Sequence, residues 1–200
     1  MKIHGDRLSG NCYKIQLLCG LLGLAHEWVD VDILRQETRS DEFLRRNPAG
    51  QIPLLELDDG RYLAESNAIL IYLGRDSELV PIDPYDYARM LQWQFFEQYS
   101  HEPYIAVARF INLYLGLPDE RRQEYAAKQE GGHRALTVMQ QQLAATPFLL
   151  GEQPTLADVS LFAYTHVAHE GGFDLAAYPV IVGWVERITA LPGFTPMHTS

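Results

Sequence analysis

The 200-residue chain reads as two domains of different class: an α/β N-terminal domain in the order β-α-β-α-β-β-α on a mixed four-stranded sheet, then an all-α helical bundle. Three observations lead there. Residues 1–75 alternate strand-like and helix-like patterns, a strand pair follows two βα units, and beyond Asp86 no segment alternates as a strand. Hairpin strands pair antiparallel and βαβ strands parallel, so joining the two gives a mixed sheet. The expected boundaries are 1–76 for the first domain, 77–84 for a linker and 85–200 for the helical domain.

The first strand is "MKIHG". The helix "NCYKIQLLCGLLGLA" follows, apolar almost all round, which marks it as buried on more than one side. "WVDVDI" is the second strand, with Val29, Val31 and Ile33 on one side and Asp30 and Asp32 on the other. "SDEFLRRNP" gives a short helix capped by Ser40, with acids at its start, arginines at its end and Asn47-Pro48 as its stop. "IPLLELDDGRYLAE" is a hairpin turning at Asp59-Gly60, and "ESNAILIYLGR" closes the domain as a helix.

The acidic, proline-bearing stretch "DSELVPIDPYD" has no clear periodicity and reads as the linker. Asp83-Pro84 then starts a long helix, with Asp as cap and Pro at the first helical position; it is expected to bend at Pro103 and to run on to Leu115. Pro118 starts the next, weakened by Gly131-Gly132. "TLADVSLFAYTHVA" carries the capping arrangement of Thr155 and Asp158, and "VIVGWVERITAL" is a last helix ending at Pro192.

Composition removes several function classes. Sixteen basic against 26 acidic residues give a net charge of −10, which opposes approach to nucleic acid or an anionic membrane surface, so neither partner is expected. The longest apolar run, Leu17 to Ala25, is far short of the roughly 20 residues of a membrane-spanning helix. With no leader pattern at the start, a cytoplasmic protein is expected. Cys12 and Cys19, with six residues between them, fit neither a redox pair nor a zinc pattern, and two cysteines make no disulfide framework. His101, His166 and His169 have no acids at ligand spacing, so no metal is expected.

Chemistry concentrates at three places. "RLSGNCYKI" is a strand-to-helix corner carrying Ser9, Asn11 and Cys12. A cysteine at a helix start is either a lowered-pKa nucleophile or a core residue; Cys12 shares a face with Ile15, Cys19 and Leu22. Ile52-Pro53 opens a strand where proline withholds a ladder hydrogen bond, which calls either for a cis peptide or for a trans proline at a strand edge. Glu65 and Ser66 begin a helix, where N–H groups and the dipole favour a carboxylate while Glu65 can accept from an ammonium group. Those are the two poles of an α-amino acid. The alternative is a simple cap and dipole pair.

"SGNCYKI", "NPAGQIPLLELDDG", "ESNAILIYL" and "PTLADVSLFAY", collinear and spread over essentially the whole chain, resemble the glutathione S-transferase family. The resemblance implies a thioredoxin-like N-terminal domain, an all-α C-terminal domain, a homodimer, and conjugation of glutathione to a small hydrophobic electrophile in detoxification. It assigns Gln51, the Ile52 backbone and Pro53 to the glycyl and cysteinyl parts of glutathione, and Glu65 and Ser66 to its γ-glutamyl end. Thr38 or Arg39 falls near the glycyl carboxylate, in a loop lacking the histidine that some classes carry. Ser9 matches the serine of the serine-dependent classes and Asn11 an asparagine of a bacterial class of disulfide-bond reductases. No tyrosine precedes Cys12 at the corner, which argues against the tyrosine-dependent classes. The electrophile pocket is expected between the domains, with Tyr99, His101, Tyr104, Ala108 and Phe110 as candidate walls and the C-terminal tail as a lid. Glutathione-dependent disulfide or peroxide reduction, and a non-catalytic glutathione-binding or protein-interaction module, are the alternatives.

Overall fold

A computed structural model of the chain describes residues 1–197. It divides into two compact units, one comprising Met1–Ser77 with the segment from Leu191, the other Glu78–Ala190.

In the first unit β1 (Lys2–Gly5) leads through α1 (Gly10–Leu22) to β2 (Glu27–Asp30). A 3-10 turn (Glu37–Arg39) and α2 (Asp41–Arg46) precede the hairpin of β3 (Leu54–Glu56) and β4 (Tyr62–Leu63), and α3 (Ser66–Gly74) closes the series. The sheet order is β2-β1-β3-β4. Ile3 faces Trp28 across a parallel pairing and Leu55 across an antiparallel one, so the sheet is mixed as the strand order requires.

Two boundaries differ from expectation. The second strand stops at Asp30 because Asp32 folds the chain back: its Oδ1 accepts from Arg35 N (3.0 Å) and its own N–H donates to Glu37 Oε2 (2.8 Å). α1 stops at Leu22 because Gly23 takes a left-handed φ of 65° and returns its N–H to the carbonyls of Cys19 and Gly20. As its apolar circumference implies, α1 is buried along most of its length, and it packs against α3.

The second unit begins at α4 (Pro84–Phe96), where the Asp83 side chain accepts from Tyr85 N and Asp86 N. The expected single helix with one bend is α4, a π turn (Glu97–His101), α5 (Glu102–Arg109) and a second π turn (Phe110–Tyr114). Pro103 is the physical reason for the first turn. Its ring cannot donate to the carbonyl four residues back, and the backbone widens ahead of it so that Glu102 N–H reaches Glu97 O.

α6 (Arg122–Leu143) passes through Gly131 and Gly132 without a break. A Cβ at Gly131 would lie 2.2 Å from the Tyr104 ring and one at Gly132 2.3 Å from Phe173, so these glycines are the surface on which two aromatic rings sit. α7 (Leu156–Thr165) carries the expected capping box of Thr155 and Asp158, and α8 (Pro179–Thr189) ends the unit.

Beyond α8 the chain returns to the first unit. Tyr13 Oη donates to Thr195 O (2.8 Å), and Gly193 lies so close to Gly20 that a Cβ on it would meet the Gly20 carbonyl at 2.4 Å. The tail, expected with the helices, thus packs on α1. The part of the expected lid that falls on residues 198–200 lies outside the described residues.

Candidate glutathione site

The corner before α1 is built by Asp6, whose side chain accepts from Leu8 N (2.8 Å) and whose carbonyl accepts from Ser9 N (3.0 Å). That turn delivers Ser9 to the helix as its N-cap, where Oγ accepts from Cys12 N (3.4 Å). A hydroxyl that accepts at a cap keeps its own proton for donation.

Asn11, in the first turn of α1, meets the start of α3. Its Oδ1 accepts from Ser66 Oγ (3.1 Å) and from Lys14 Nζ (2.7 Å), and Lys14 Nζ also donates to Ser66 Oγ (3.2 Å). Two clusters of polar residues 55 positions apart in sequence are therefore one cluster in space. The Ser66 proton is spent on Asn11, so a carboxylate at this place would meet backbone N–H groups of the first turn of α3, ahead of its first α-helical bond from Ile69 N to Glu65 O. Glu65 is exposed and takes φ 68°, ψ 112°, a conformation that costs a non-glycine residue about 1–3 kcal/mol.

The Ile52-Pro53 peptide is cis. Just before it, Asn47 Nδ2 donates to Gln51 O (2.8 Å) and Gly50 turns at φ 63°. The 3-10 turn packs on this loop: Arg39 Nη1 donates to Ala49 O (3.3 Å), and a Cβ on Gly50 would lie 2.6 Å from Arg39 Nη1 and 3.0 Å from Thr38 O. Thr38 is buried while Arg39 and Gln51 are exposed. Of the two alternatives in that turn, Arg39 is the one a ligand can reach.

Cys12 is fully buried against Gly5, and burial pushes its thiol up to about 12 despite the Ser9 hydrogen bond. Cys19 is raised to about 12 for the same reason. A thiol in that state is neither a nucleophile nor a thiolate donor at neutral pH, so the core alternative holds. Tyr13 is also buried and serves the tail through Thr195.

The five candidates on the second unit separate. Tyr99 and Tyr104 line a concavity of about 260 Å³ with Phe96, Ser100, Arg134, Ala135 and Val138. His101 and Ala108 are fully buried in the unit, His101 with Nε2 at 2.9 Å from Thr165 Oγ1, and so meet no surface ligand. Phe110 is half-buried with its ring 5.1 Å from that of Tyr114. Among the described residues no group of three or more His, Cys, Asp or Glu is placed to hold a metal ion, and no helix is long and apolar enough to cross a membrane.

The N-terminal domain model of glutathione S-transferases matches residues 8–76, and the C-terminal domain model matches residues 122–187. A maleylacetoacetate isomerase of Rhizobium meliloti is 30% identical over 196 residues, spanning 95% of this chain and 92% of the relative. The chain belongs to the glutathione S-transferase family. A crystal structure of a glutathione S-transferase from Pseudomonas fluorescens Pf-5 shares 56% identity at a TM-score of 0.97, covering 99% of this chain and 98% of that one. A maleylacetoacetate isomerase from Methylobacterium extorquens AM1, crystallised with malonate and glutathione bound, is 27% identical at a TM-score of 0.81, covering 96% and 94%.

Within this glutathione S-transferase family member, the residues carried over from the resemblance fall into two groups in the first unit. Asn11 and Ser66 meet directly, with Ser9 and Glu65 at the adjoining helix starts; Arg39, Thr38 and the Ala49–Gln51 loop form the other. Sequence reasoning missed Lys14. The signal was there: Lys14 is the one charged residue of α1, a helix otherwise apolar almost all round, and such a lysine must find buried acceptors.

Proposed function

We propose that the chain binds glutathione along the first unit, holds its sulfur as the thiolate and transfers it to a small electrophile. The observation that carries this reading is the 3.1 Å bond between Ser66 and Asn11, which ties the helix start suited to an amino-acid carboxylate to the corner suited to a thiolate. Glu65 takes the γ-glutamyl ammonium, backbone N–H groups of α3 its carboxylate, and the Gln51-Ile52 segment runs beside the cysteinyl and glycyl parts with Arg39 near the terminal carboxylate.

A free thiol of this kind ionises near pH 8.5, and each unit of depression requires about 1.4 kcal/mol of thiolate stabilisation. A hydroxyl hydrogen bond from Ser9, an amide hydrogen bond from Asn11 and the positive end of α1 together supply one to a few units. The thiol proton leaves to water and the sulfur lone pair forms the new bond to carbon. A leaving group departs with its electron pair, or an activated double bond takes up a proton from water. Positioning of the two reactants contributes the remaining rate.

A homodimer, a detoxifying role and a cytoplasmic site of action belong to the same proposal. Asn11 favours a second reading, glutathione-dependent disulfide reduction at the same corner. The assays that separate them are conjugation to a chloro-nitro aromatic, reduction of a model disulfide, and, because of the named relatives, isomerisation of maleylacetoacetate. Ser9→Ala and Asn11→Ala should each lower conjugation turnover by more than about tenfold, the scale of one hydrogen bond to a charge. Turnover unaffected by both refutes the assignment. Glutathione binding with none of the three activities would support a non-catalytic module instead.

A further inference from the structure

Lys14 has no exposed surface, and its ammonium reaches the two residues at the junction of the candidate site. An ammonium group withdrawn from water is retained where strong acceptors replace its hydration. Here the shorter bond, 2.7 Å, goes to Asn11 Oδ1 and the longer, 3.2 Å, to Ser66 Oγ. Asn11 and Lys14 are three residues apart on α1, so they share one face of the helix.

We infer that Lys14 is a positioning residue of the thiolate site: its ammonium fixes the Asn11 carboxamide by the oxygen, directs the amide N–H groups to the other side, and sets its charge beside that carboxamide. The inference rests on the proposed glutathione reading and deepens it. A primary amide is planar with its oxygen and its N–H groups at opposite corners, so a donor on the oxygen decides where the nitrogen lies. Two donors, Lys14 Nζ and Ser66 Oγ, hold that oxygen. The same ammonium accounts for the direction of the Ser66 hydroxyl. Because its oxygen accepts from Lys14, its proton goes to Asn11, and the carboxylate of a ligand is left to the backbone of α3. Charge beside the amide oxygen also polarises the N–H bonds and strengthens their donation to an anion.

The test is the pH midpoint at which enzyme-bound glutathione loses its thiol proton, read from the ultraviolet absorbance of the thiolate in the full-length protein. A merely structural lysine would move thermal stability and leave that midpoint in place. Lys14→Met keeps length and removes charge, and it should raise the midpoint by about one unit, a roughly tenfold loss of thiolate at pH values below it. Lys14→Arg should stay within about half a unit of the unsubstituted protein, because the guanidinium keeps both the charge and donors to the amide. If Lys14→Met does not fold, Lys14→Gln, neutral but still a donor, carries the same expected rise. A midpoint unchanged in a neutral variant that still binds glutathione overturns the role of Lys14. A natural protein that fails to bind glutathione overturns the functional reading beneath it.

Discussion

His166 makes the stability of the second unit depend on pH. Its Nδ1–H donates to Phe162 O (2.8 Å) and its ring stacks on Phe162 at 4.5 Å and 2°. Burial is the main cause that pushes its pKa from 6.5 down to about 4, with the Arg109 charge adding to it and the Phe162 carbonyl and Glu170 opposing. Above pH 6.5 the ring is neutral in both folded and unfolded chains and pH has no purchase on it. Between 6.5 and 4 the unfolded chain takes a proton that the folded one refuses, so stability falls with falling pH and levels off below about 4. The full span of 2.5 units corresponds to about 3 kcal/mol. At pH 5 that leaves about 2 kcal/mol as a ceiling, and about 1 kcal/mol once the partly exposed position of the ring is allowed for. At about 2–4 °C per kcal/mol for a chain of this size, the melting temperature should drop by roughly 2–8 °C between pH 7.5 and pH 5 on account of this residue. The assay is calorimetry of the natural protein and of His166→Gln, whose amide can still donate to Phe162 O, over that pH range. The other histidines are common to both, so the variant should show the flatter curve by that amount. Parallel curves would sink the reasoning, and a steeper curve for the variant would reverse its sign.

Three further outcomes follow from the geometry. Asp158→Ala strands four donors, Leu149 N, Thr155 N, Thr155 Oγ1 and Trp184 Nε1; at about 1 kcal/mol each it should cost roughly 3–4 kcal/mol and about 10 °C in melting temperature, read by calorimetry. Cys12→Ala removes a buried sulfur and should cost stability, about 1 kcal/mol, while turnover stays within about twofold; steady-state kinetics that show a collapse would restore Cys12 as a nucleophile. Gly131→Ala sets a methyl into the Tyr104 ring and should destabilise by about 1–3 kcal/mol in urea unfolding, whereas helix propensity alone would have it stabilise.

Where local chemistry decides an element, it was legible. Ser40, Asp83, Thr155 and Asp158 read as caps and act as caps, and the Asp59-Gly60 turn sits where the hairpin needs it, with Gly60 at φ 84°. The core position of Cys12 followed from its helical face. What escaped depends on partners distant in sequence. Gly131 and Gly132 read as weak points of a helix because the rings of Tyr104 and Phe173 that cover them lie on other segments. The π turns at Glu97–His101 and Phe110–Tyr114 keep the same residues helical and change only which carbonyl each N–H meets, so periodicity is nearly blind to them. Which side chains of this helix are buried was equally hidden: His101 and Ala108, which read as pocket walls, are fully buried, while Tyr99 and Tyr104 line a concavity. Lys14 escaped because a single charge in an apolar run looks like tolerance until its acceptors are seen.

The return of the chain to α1 has a bearing on how the molecule is made. Tyr13 waits for the carbonyl of Thr195, and Gly20 for the backbone of Gly193. Between the two lies the whole of Glu78–Ala190, so during synthesis the first unit emerges, then waits while more than a hundred residues are added before its last contact can form. At roughly 5–20 residues per second that interval is on the order of ten seconds, long compared with the folding of a helical domain. Throughout it α1 lacks both its clasp at Tyr13, between Asn11 and Lys14, and its contact at Gly20.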